Sequence, residues 1–414
     1  MAPDGGGSKR TRVAASASVS HEQDGGSIIP CLPDDLALYI LHRQPRSLQN
    51  RQRLVCHSWK DAMEPARMTS IRKSLNISEA WPVFVTRRDF PYKQSRSLFT
   101  IVDPIGCLRC IIPVPCQFPQ HMHRYFHFSV MGTVGSKVLI SVVLDTAKDE
   151  TQLQLMQGVY SFDGLSMKWE DALYSSLPTT LTPTLKQTSA IAVDMNGGYL
   201  YVAGGYGQRG DDYMEGAGRL DIKTKMWEAL PDPYVKRIAA VGVVMGGLFY
   251  IIGGTGKQES GSTYTYKPQQ SGEIWDPATR EWSLLPELWP DKVFIIRART
   301  RVVALGDRLY ALRRAGLSEE LMYYESAFKA WMSLGFVPLD VPDDVSYNGI
   351  DIHDPVFVHL LKIGEELWVF HWWAHVCVAT KPTLPRPLFW RTFRRTGKSP
   401  LPMYAGHMVG ELHV

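Results

Sequence analysis

Cysteine and histidine side chains crowd one short stretch of this chain, and their types and spacing suit metal chemistry. Six possible zinc ligands fall within twenty-one residues: Cys107, Cys110, Cys116, His121, His123 and His127. Thiolates and imidazoles are the usual ligands of structural zinc. Cys107 and Cys110, however, flank a predicted strand turn, and strand geometry would send their side chains to opposite faces. We therefore predict no metal site and no other cofactor.

Catalytic motifs are otherwise missing from the sequence. It contains no Gly-x-Ser-x-Gly turn, no phosphate-binding loop and no His-Glu-x-x-His pair. The segment GGYGQRGDD (residues 204–212) is rich in glycine. It follows a predicted strand and does not open a helix, so it does not match a phosphate loop. These observations predict a protein that performs no catalysis.

Composition and charge narrow the range of protein classes to which this chain can belong. The chain has 414 residues, 45% of them hydrophobic, with a formal net charge of +4 and six cysteines. This balance predicts a globular, turn-rich protein and gives no support to a nucleic-acid partner. So few cysteines, with no signal peptide expected, predict a reducing compartment, the cytoplasm and/or the nucleus.

One uncharged run, Ile238 to Gly256, is long enough to suggest a membrane span. Gly246 and Gly247 interrupt it at mid-length, and Gly253 and Gly254 come near its end. Two buried strands around a tight turn explain this pattern better than a helix in lipid does. The sequence therefore predicts a β-hairpin here and no membrane partner.

An internal repeat with a period near fifty residues organises most of the chain. One copy reads GGYLYVAGGYG and then RLDIKTKMWEALP, and the next reads GGLFYIIGGTG and then EIWDPATREWSLLP. Such a period, with four short strands in each unit, predicts the blades of a β-propeller. In that fold we expect the glycine pairs and the tryptophans to be structural. Each of these tryptophans follows an acidic residue by six positions. These glycines and tryptophans are Gly204, Gly205, Gly253, Gly254, Trp169, Trp227, Trp282 and Trp331.

The repeat predicts six blades between residues 81 and 414, with five or seven as alternatives because some copies are divergent. The first blade has only three strands of its own. The C-terminal segment from Gly406 to Val414 reads as a further strand with no other place to go. We predict that it pairs into the first blade and closes the ring, because closure removes an open sheet edge.

The N-terminal part of the sequence, residues 1–80, lies before the repeats and is predicted to have a different structure. We predict a flexible tail over residues 1–27, three short helices over residues 28–65, and a basic linker over residues 66–80 that is helical near Ile71 to Leu75. The first helix begins at Leu32-Pro33-Asp34-Asp35, because proline and acids suit a helix start. Three short helices cannot bury all of their apolar surface, so we expect an exposed face that binds a partner.

This helical segment resembles the F-box, whose pattern is a Leu-Pro-acidic start, an apolar helix and then Val-Cys-x-x-Trp. Together with the repeats, the chain resembles a plant-type F-box/kelch-repeat protein. The resemblance implies a mainly β fold with a small α domain, namely a three-helix F-box followed by a kelch-type propeller. It implies that the F-box face binds a Skp-type adaptor and, through it, a cullin. The positions that carry this implication are Leu32, Pro33, Leu36, Ile40, Leu41, Pro45, Leu54, Val55, Cys56 and Trp59.

The resemblance also implies that the propeller holds a protein to be ubiquitinated. Relatives of this type direct the turnover of phenylalanine ammonia-lyase and of response regulators. The alternative is a non-ligase kelch scaffold, or a metal-assisted propeller enzyme, with a degenerate F-box.

Long predicted loops lie on one face of the propeller, where second-to-third-strand connections and blade-to-blade connections meet. Two of them run from Tyr206 to Gly216 and from Thr255 to Ser271. Binding residues accumulate on such loops, and aromatic and charged side chains are common in binding hot spots. We therefore predict substrate contacts from Arg209, Asp211, Asp212, Tyr213, Lys257, Tyr264 and Tyr266.

Overall fold

The protein is described by a computed structural model. The described residues are 27–44, 48–75, 77, 79–87, 97–102, 109–112, 126–144, 158–164, 168–170, 189–194, 196–205, 216–260, 263–289, 301–316, 318–338, 346–347, 350–351, 358–371, 375–380, 388–394 and 407–413.

Four helices occupy the described N-terminal part, which we call the helical unit. They are α1 (Asp34–Arg43), α2 (Gln49–Gln52), α3 (His57–Ala62) and α4 (Pro65–Ser74). The first begins after Pro33 with two acids in its first turn, as predicted. The fourth lies where the sequence indicated a linker. Its Met68 packs against Leu41 and Met63, so α4 covers apolar surface that the three predicted helices leave open.

The rest of the described chain is β-structure. In chain order the strands are β1 (Ala80–Arg87), β2 (Ser97–Val102), β3 (Arg109–Ile112), β4 (Phe126–Val134), β5 (Lys137–Leu144), β6 (Gly158–Asp163), β7 (Lys168–Trp169), β8 (Ala190–Asp194), β9 (Tyr199–Ala203), β10 (Ala217–Asp221), β11 (Met226–Leu230), β12 (Val241–Met245), β13 (Leu248–Ile252), β14 (Thr255–Ser260), β15 (Thr263–Pro268), β16 (Gly272–Asp276), β17 (Glu281–Leu285), β18 (Val302–Leu305), β19 (Arg308–Ala315), β20 (Ser318–Glu325), β21 (Ala330–Phe336), β22 (Ser346–Tyr347), β23 (Ile350–Asp351), β24 (Val358–Ile363), β25 (Glu366–His371), β26 (His375–Thr380), β27 (Trp390–Arg394) and β28 (His407–His413).

Six sheets among the described residues have four strands each, and every pairing in them is antiparallel. Their strand orders are β28-β1-β2-β3, β4-β5-β6-β7, β8-β9-β10-β11, β12-β13-β16-β17, β18-β19-β20-β21 and β24-β25-β26-β27. Two further ribbons, β14-β15 and β22-β23, have two strands each. The predicted mainly β architecture, four-stranded units behind a small helical segment, is confirmed.

The first strands of successive sheets lie beside one another. Contacts join β4 to β8, β8 to β12, β12 to β18 and β18 to β24, and β28 contacts both β4 and β24. The strand β28 also pairs with β1, from Ala80 opposite His413 to Val85 opposite His407. These contacts place the first strand of each sheet from β4 to β18 beside the first strand of the next sheet along the chain.

The uncharged run from Ile238 to Gly256 forms β12 and β13, which pair as a hairpin around Gly246 and Gly247. This confirms the hairpin prediction. No helix in the described part of the chain combines the length and the apolar character that crossing a membrane requires.

The repeated glycine pairs lie where backbone segments approach one another closely. Gly253 and Gly254 have φ of 65° and 83°, in the left-handed region that glycine adopts without strain. A Cβ atom on Gly254 would stand 2.6 Å from the carbonyl oxygen of Ile238, and one on Gly204 would stand 2.5 Å from that of Arg237. A side chain at either position would push this crossing apart.

The repeated tryptophans join neighbouring sheets. The indole N–H of Trp282 donates to the carbonyl of Pro231, 2.7 Å away, just after the preceding sheet ends. In the next sheet, Trp331 donates to the carbonyl of Leu288 at 3.0 Å. The repeated acids close the turns before the tryptophans. For example, the Asp276 carboxylate accepts the backbone N–H of Ala278 at 2.8 Å.

Removal of residues 407–414 tests the contribution of β28. We expect a loss on the order of 5 kcal/mol in the free energy of unfolding, because six register positions lose their partners and each hydrogen bond contributes about 1 kcal/mol. Urea unfolding of the full-length and shortened chains measures the difference. Removal of residues 1–26 is the control. Equal stability of the full-length chain and the chain that lacks residues 407–414 would contradict the expectation.

Candidate functional site

The helical unit exposes large apolar side chains. Leu54 and Val55, in the turn between α2 and α3, are 85% and 60% exposed, and Leu36 on α1 is 44% exposed. Tyr39 and Ile40 are also exposed and lie three and four positions after Leu36, so the three share one face of α1. Exposed apolar residues grouped in this way are typical of a protein-binding surface.

The structure divides the predicted adaptor-binding positions into three groups. Pro33, Leu36, Ile40, Leu54, Val55 and Cys56 are exposed, and Leu32 and Trp59 are half-buried. Leu41 is only 2% exposed and belongs to the helical core, so it cannot contact a partner directly. Pro45 lies outside the described residues. Binding of an adaptor by the exposed positions stays a prediction.

Sequence reasoning missed Tyr39 as a member of this surface. The guanidinium carbon of Arg43 lies 4.6 Å from the centre of its ring, a cation–π arrangement that orients the ring. The helical spacing from Leu36 is the signal that could have found it.

Trp59 has a structural role in the helical unit. Its indole N–H donates to the carbonyl of Ile28 at 2.7 Å and so ties α3 to the segment before α1. The backbone N–H of Ile28 in turn donates to the Asp34 carboxylate at 2.9 Å. These bonds fix the start of α1, from which Leu36 and Ile40 project.

A buried histidine and a buried arginine lie behind the exposed surface. His42 has no exposed area, and its two ring nitrogens have no hydrogen-bond partner among the described residues. Burial lowers the pKa of this imidazole, and the nearby guanidinium groups of Arg67 and Arg72 lower it further. His42 therefore binds a proton less readily than a histidine in water does.

The predicted substrate contacts fall into two groups. Arg209, Asp211, Asp212 and Tyr213 lie outside the described residues. Lys257, Tyr264 and Tyr266 belong to the β14–β15 ribbon, where Lys257 is opposite Tyr266 and Tyr264 is opposite Glu259. The sequence indicated a loop from Thr255 to Ser271. A ribbon forms instead because the alternating threonines and tyrosines of β15 favour strands.

A buried ion pair fixes the base of this ribbon. Arg237 and Glu273 are 2% and 0% exposed, and their side chains approach to 2.7 Å. The same guanidinium donates to the carbonyls of Gly253 at 2.9 Å and Ser271 at 2.8 Å, which flank the ribbon. Burial lowers the pKa of Arg237, and the charge of Glu273 opposes that shift.

Glu273 also orders the connection between two sheets. Its carboxylate accepts the backbone N–H groups of Tyr234 at 2.6 Å and Val235 at 3.1 Å. The Tyr234 ring is exposed, and its hydroxyl donates to the carbonyl of Trp282 at 3.1 Å. The ion pair therefore anchors both the base of the ribbon and this connection between two sheets.

Possible metal ligands are not grouped in the part of the chain that the structure describes. No three side chains of His, Cys, Asp or Glu come together there as a metal would need. Most of the possible zinc ligands weighed in the sequence lie outside the described residues, namely Cys107, Cys116, His121 and His123. Cys110 and His127 lie in β3 and β4, which belong to different sheets.

Comparison with known proteins identifies similar sequences. The Kelch motif family model matches residues 236–288. An F-box/kelch-repeat protein of Arabidopsis thaliana is 23% identical over 281 residues, which cover 68% of this chain and 50% of that protein. A second F-box/kelch-repeat protein of Arabidopsis is 25% identical over 324 residues, which cover 76% of this chain and 83% of that protein. A solved structure titled "Structure of YjhT" overlaps 51% of this chain with a TM-score of 0.36 and 15% identity.

The resemblance to plant F-box/kelch-repeat proteins is confirmed. The matched Kelch motif contains the second of the two clear repeats, with its glycine pair and Trp282. The matches span about half or less of the length of the first three curated relatives, namely 50%, 42% and 41%.

The lowered pKa of His42 predicts that acid weakens the helical unit. Above about pH 6.5, the ordinary pKa of histidine, both folded and unfolded chains are neutral at this position. As the pH falls below that value, the unfolded chain binds a proton and the folded chain does not, so stability falls. Hydrogen exchange of α1 and α4 amides at pH 7.5 and 5.5, corrected for intrinsic rates, measures this loss.

A His42→Leu variant should keep more of its protection at pH 5.5 than the wild-type protein does. The exposed His57 on α3 provides the control, since His57→Leu should retain the wild-type pH dependence. The same pH dependence in both variants would show that His42 is not responsible.

Truncation of Arg237 should destabilise the protein strongly. An Arg237→Met variant leaves the Glu273 charge buried without its partner, which costs about 3–5 kcal/mol in the free energy of unfolding. The double variant Arg237→Met, Glu273→Gln should be less destabilised, because the amide is neutral and its single oxygen can still accept one of the two backbone N–H groups.

Urea unfolding compares these variants with Lys137→Met, which breaks the partly exposed pair with Glu170 and should cost no more than about 1 kcal/mol. A double variant as unstable as the single one would contradict the role of the buried charge.

Proposed function

We propose that this chain is the substrate-recognition subunit of a cullin–RING ubiquitin ligase. In this proposal the helical unit binds a Skp-type adaptor, which links it to a cullin. The propeller binds the protein to be ubiquitinated. The chain performs no covalent chemistry and acts by raising the concentration of substrate beside the ubiquitin-conjugating enzyme.

The exposed apolar residues of the helical unit are the observation that carries this proposal. Leu36, Tyr39, Ile40, Leu54 and Val55 are open to solvent, whereas Leu41, Ala62, Met63 and Met68 form a separate buried core. A helical unit with its own core does not need these exposed side chains for folding. The names of the curated relatives support binding of an adaptor by an F-box.

We also infer that the six four-stranded sheets are the blades of one closed ring. The support is the pairing of β28 with β1 and the contacts of β28 with β4 and β24. A rigid ring suits a receptor because it holds bound substrate in one orientation. We place substrate on the face that carries the β14–β15 ribbon. The proposal also places the protein in the cytoplasm, the nucleus or both. Phenylalanine ammonia-lyase and response regulators are the substrates to test first.

Co-expression with a Skp-type adaptor tests adaptor binding. The variant Leu54→Asp, Val55→Asp places charges in the exposed turn, and we expect adaptor capture to fall at least tenfold. Substitution of Trp59 is less informative, because it removes the bond to Ile28 that holds the helical unit together.

The matched control is Met226→Asp, which changes an apolar side chain 67% exposed on the propeller. This variant should bind the adaptor as the wild-type protein does. Failure of the wild-type protein to capture adaptor, or capture undiminished by the double substitution, would overturn the proposal. Metal analysis of the same purified protein addresses the alternative of a metal-assisted enzyme.

A further inference from the structure

The guanidinium of Arg72 lies where the helical unit meets the first sheet. Arg72 is on α4, and its side chain is 1% exposed. One terminal nitrogen, Nη1, donates to the carbonyls of His42 at 3.0 Å and Gln44 at 3.1 Å. The other, Nη2, donates to the Oε1 atom of Glu79 at 2.6 Å.

These three acceptors belong to two different parts of the protein. His42 is in the last turn of α1 and Gln44 is its C-cap. Glu79 directly precedes β1, whose first residue, Ala80, pairs with His413 of β28. A single side chain on α4 therefore connects this helix to the end of α1 and to the residue that precedes β1.

The chemistry of arginine suits this junction. The last carbonyls of a helix have no partners within the helix and carry partial negative charge, so they favour a cation. The planar guanidinium donates in fixed directions, and a lysine ammonium cannot reproduce this geometry. The backbone adds a further restraint, because the N–H of Ile77 donates to the carbonyl of Arg72 at 2.9 Å. The connection from α4 to β1 is therefore short and held at both ends.

We propose that Arg72 is a positioning residue that fixes the direction in which the helical unit leaves the propeller. The proposal rests on the proposed function, in which adaptor binds one part and substrate binds the other. The Arg72–Glu79 contact then sets the orientation of substrate relative to the ligase. Neither residue contacts adaptor or substrate in this role, and both act through the relative placement of the two parts.

Distance measurements between the two parts test this role. Spin labels that do not require cysteine attachment are placed at Asp35 on α1 and at Lys223 in the turn between β10 and β11. Both positions are exposed. Pulsed electron–electron double resonance on the full chain gives the distribution of distances between the two labels. We expect one narrow distribution for the wild-type protein and at least a twofold broader one for Glu79→Ala and for Arg72→Lys.

The control is Arg67→Lys, which changes an exposed arginine on the same helix and should leave the distribution narrow. Adaptor affinity, measured with a Skp-type adaptor, should stay within twofold of wild type in Glu79→Ala, because the helical core is intact. If Arg72→Lys does not fold, Glu79→Ala still decides, since Glu79 lies outside that core.

Two results would overturn the proposal. One is a distribution as narrow in Glu79→Ala as in the wild-type protein. The other is a parallel loss of adaptor affinity and of hydrogen-exchange protection of the helices in Glu79→Ala. That result would show that the contact only stabilises the helical unit. Failure of the wild-type protein to bind adaptor would count against the proposed function and leave the distance result to decide on Arg72.

Discussion

Burial on both faces is the constraint on which the sheets depend. The strands β9 and β13 are almost continuously buried, without the alternation of a sheet that has one face in water. Four short strands cannot cover themselves, so each sheet needs a neighbour on either side. The contacts between successive first strands provide those neighbours, and apolar clusters such as the one around Phe249 and Trp275 span the space between sheets.

Close approach of the first strands limits which residues they can carry. A Cβ atom on Gly242 of β12 would stand 2.6 Å from the backbone nitrogen of Ile191 in β8. Further out, Trp282 and Trp331 fill the wider space and donate across it to carbonyls of the preceding connection.

The helical unit solves the same burial problem differently. Its core is small, and it depends on polar groups placed at the ends of helices, with Asp34 at the start of α1 and Arg72 at the end. The apolar side chains left outside that core define the surface that the proposed function uses. The pairs Arg72–Glu79 and Arg237–Glu273 play related parts, because in each a buried arginine connects segments that are distant in the sequence or belong to different elements.

Local chemistry allowed the sequence to determine a large part of this protein. The glycine pairs, the acids before turns and the spaced tryptophans predicted four-stranded units, because they recur at a nearly constant spacing and the acids act within a single turn. The Leu-Pro-acid start predicted α1 for the same reason. The helical spacing of Leu36 and Ile40 predicted that they lie on one face of α1.

Other features were decided only by the tertiary structure. Leu41 fits the same apolar pattern as Ile40 but is buried, because Met68 of α4 packs in the same core. The sequence indicated helix in this linker only near Ile71 to Leu75, whereas α4 begins at Pro65. The β14–β15 ribbon replaced a predicted loop, and its base depends on Arg237 reaching Gly253 and Ser271. The partners of Arg72, Arg237 and Trp59 lie across segments whose meeting no local pattern specifies. Long-range contacts of this kind depend on how the whole chain packs, and that is why only the folded structure reveals them.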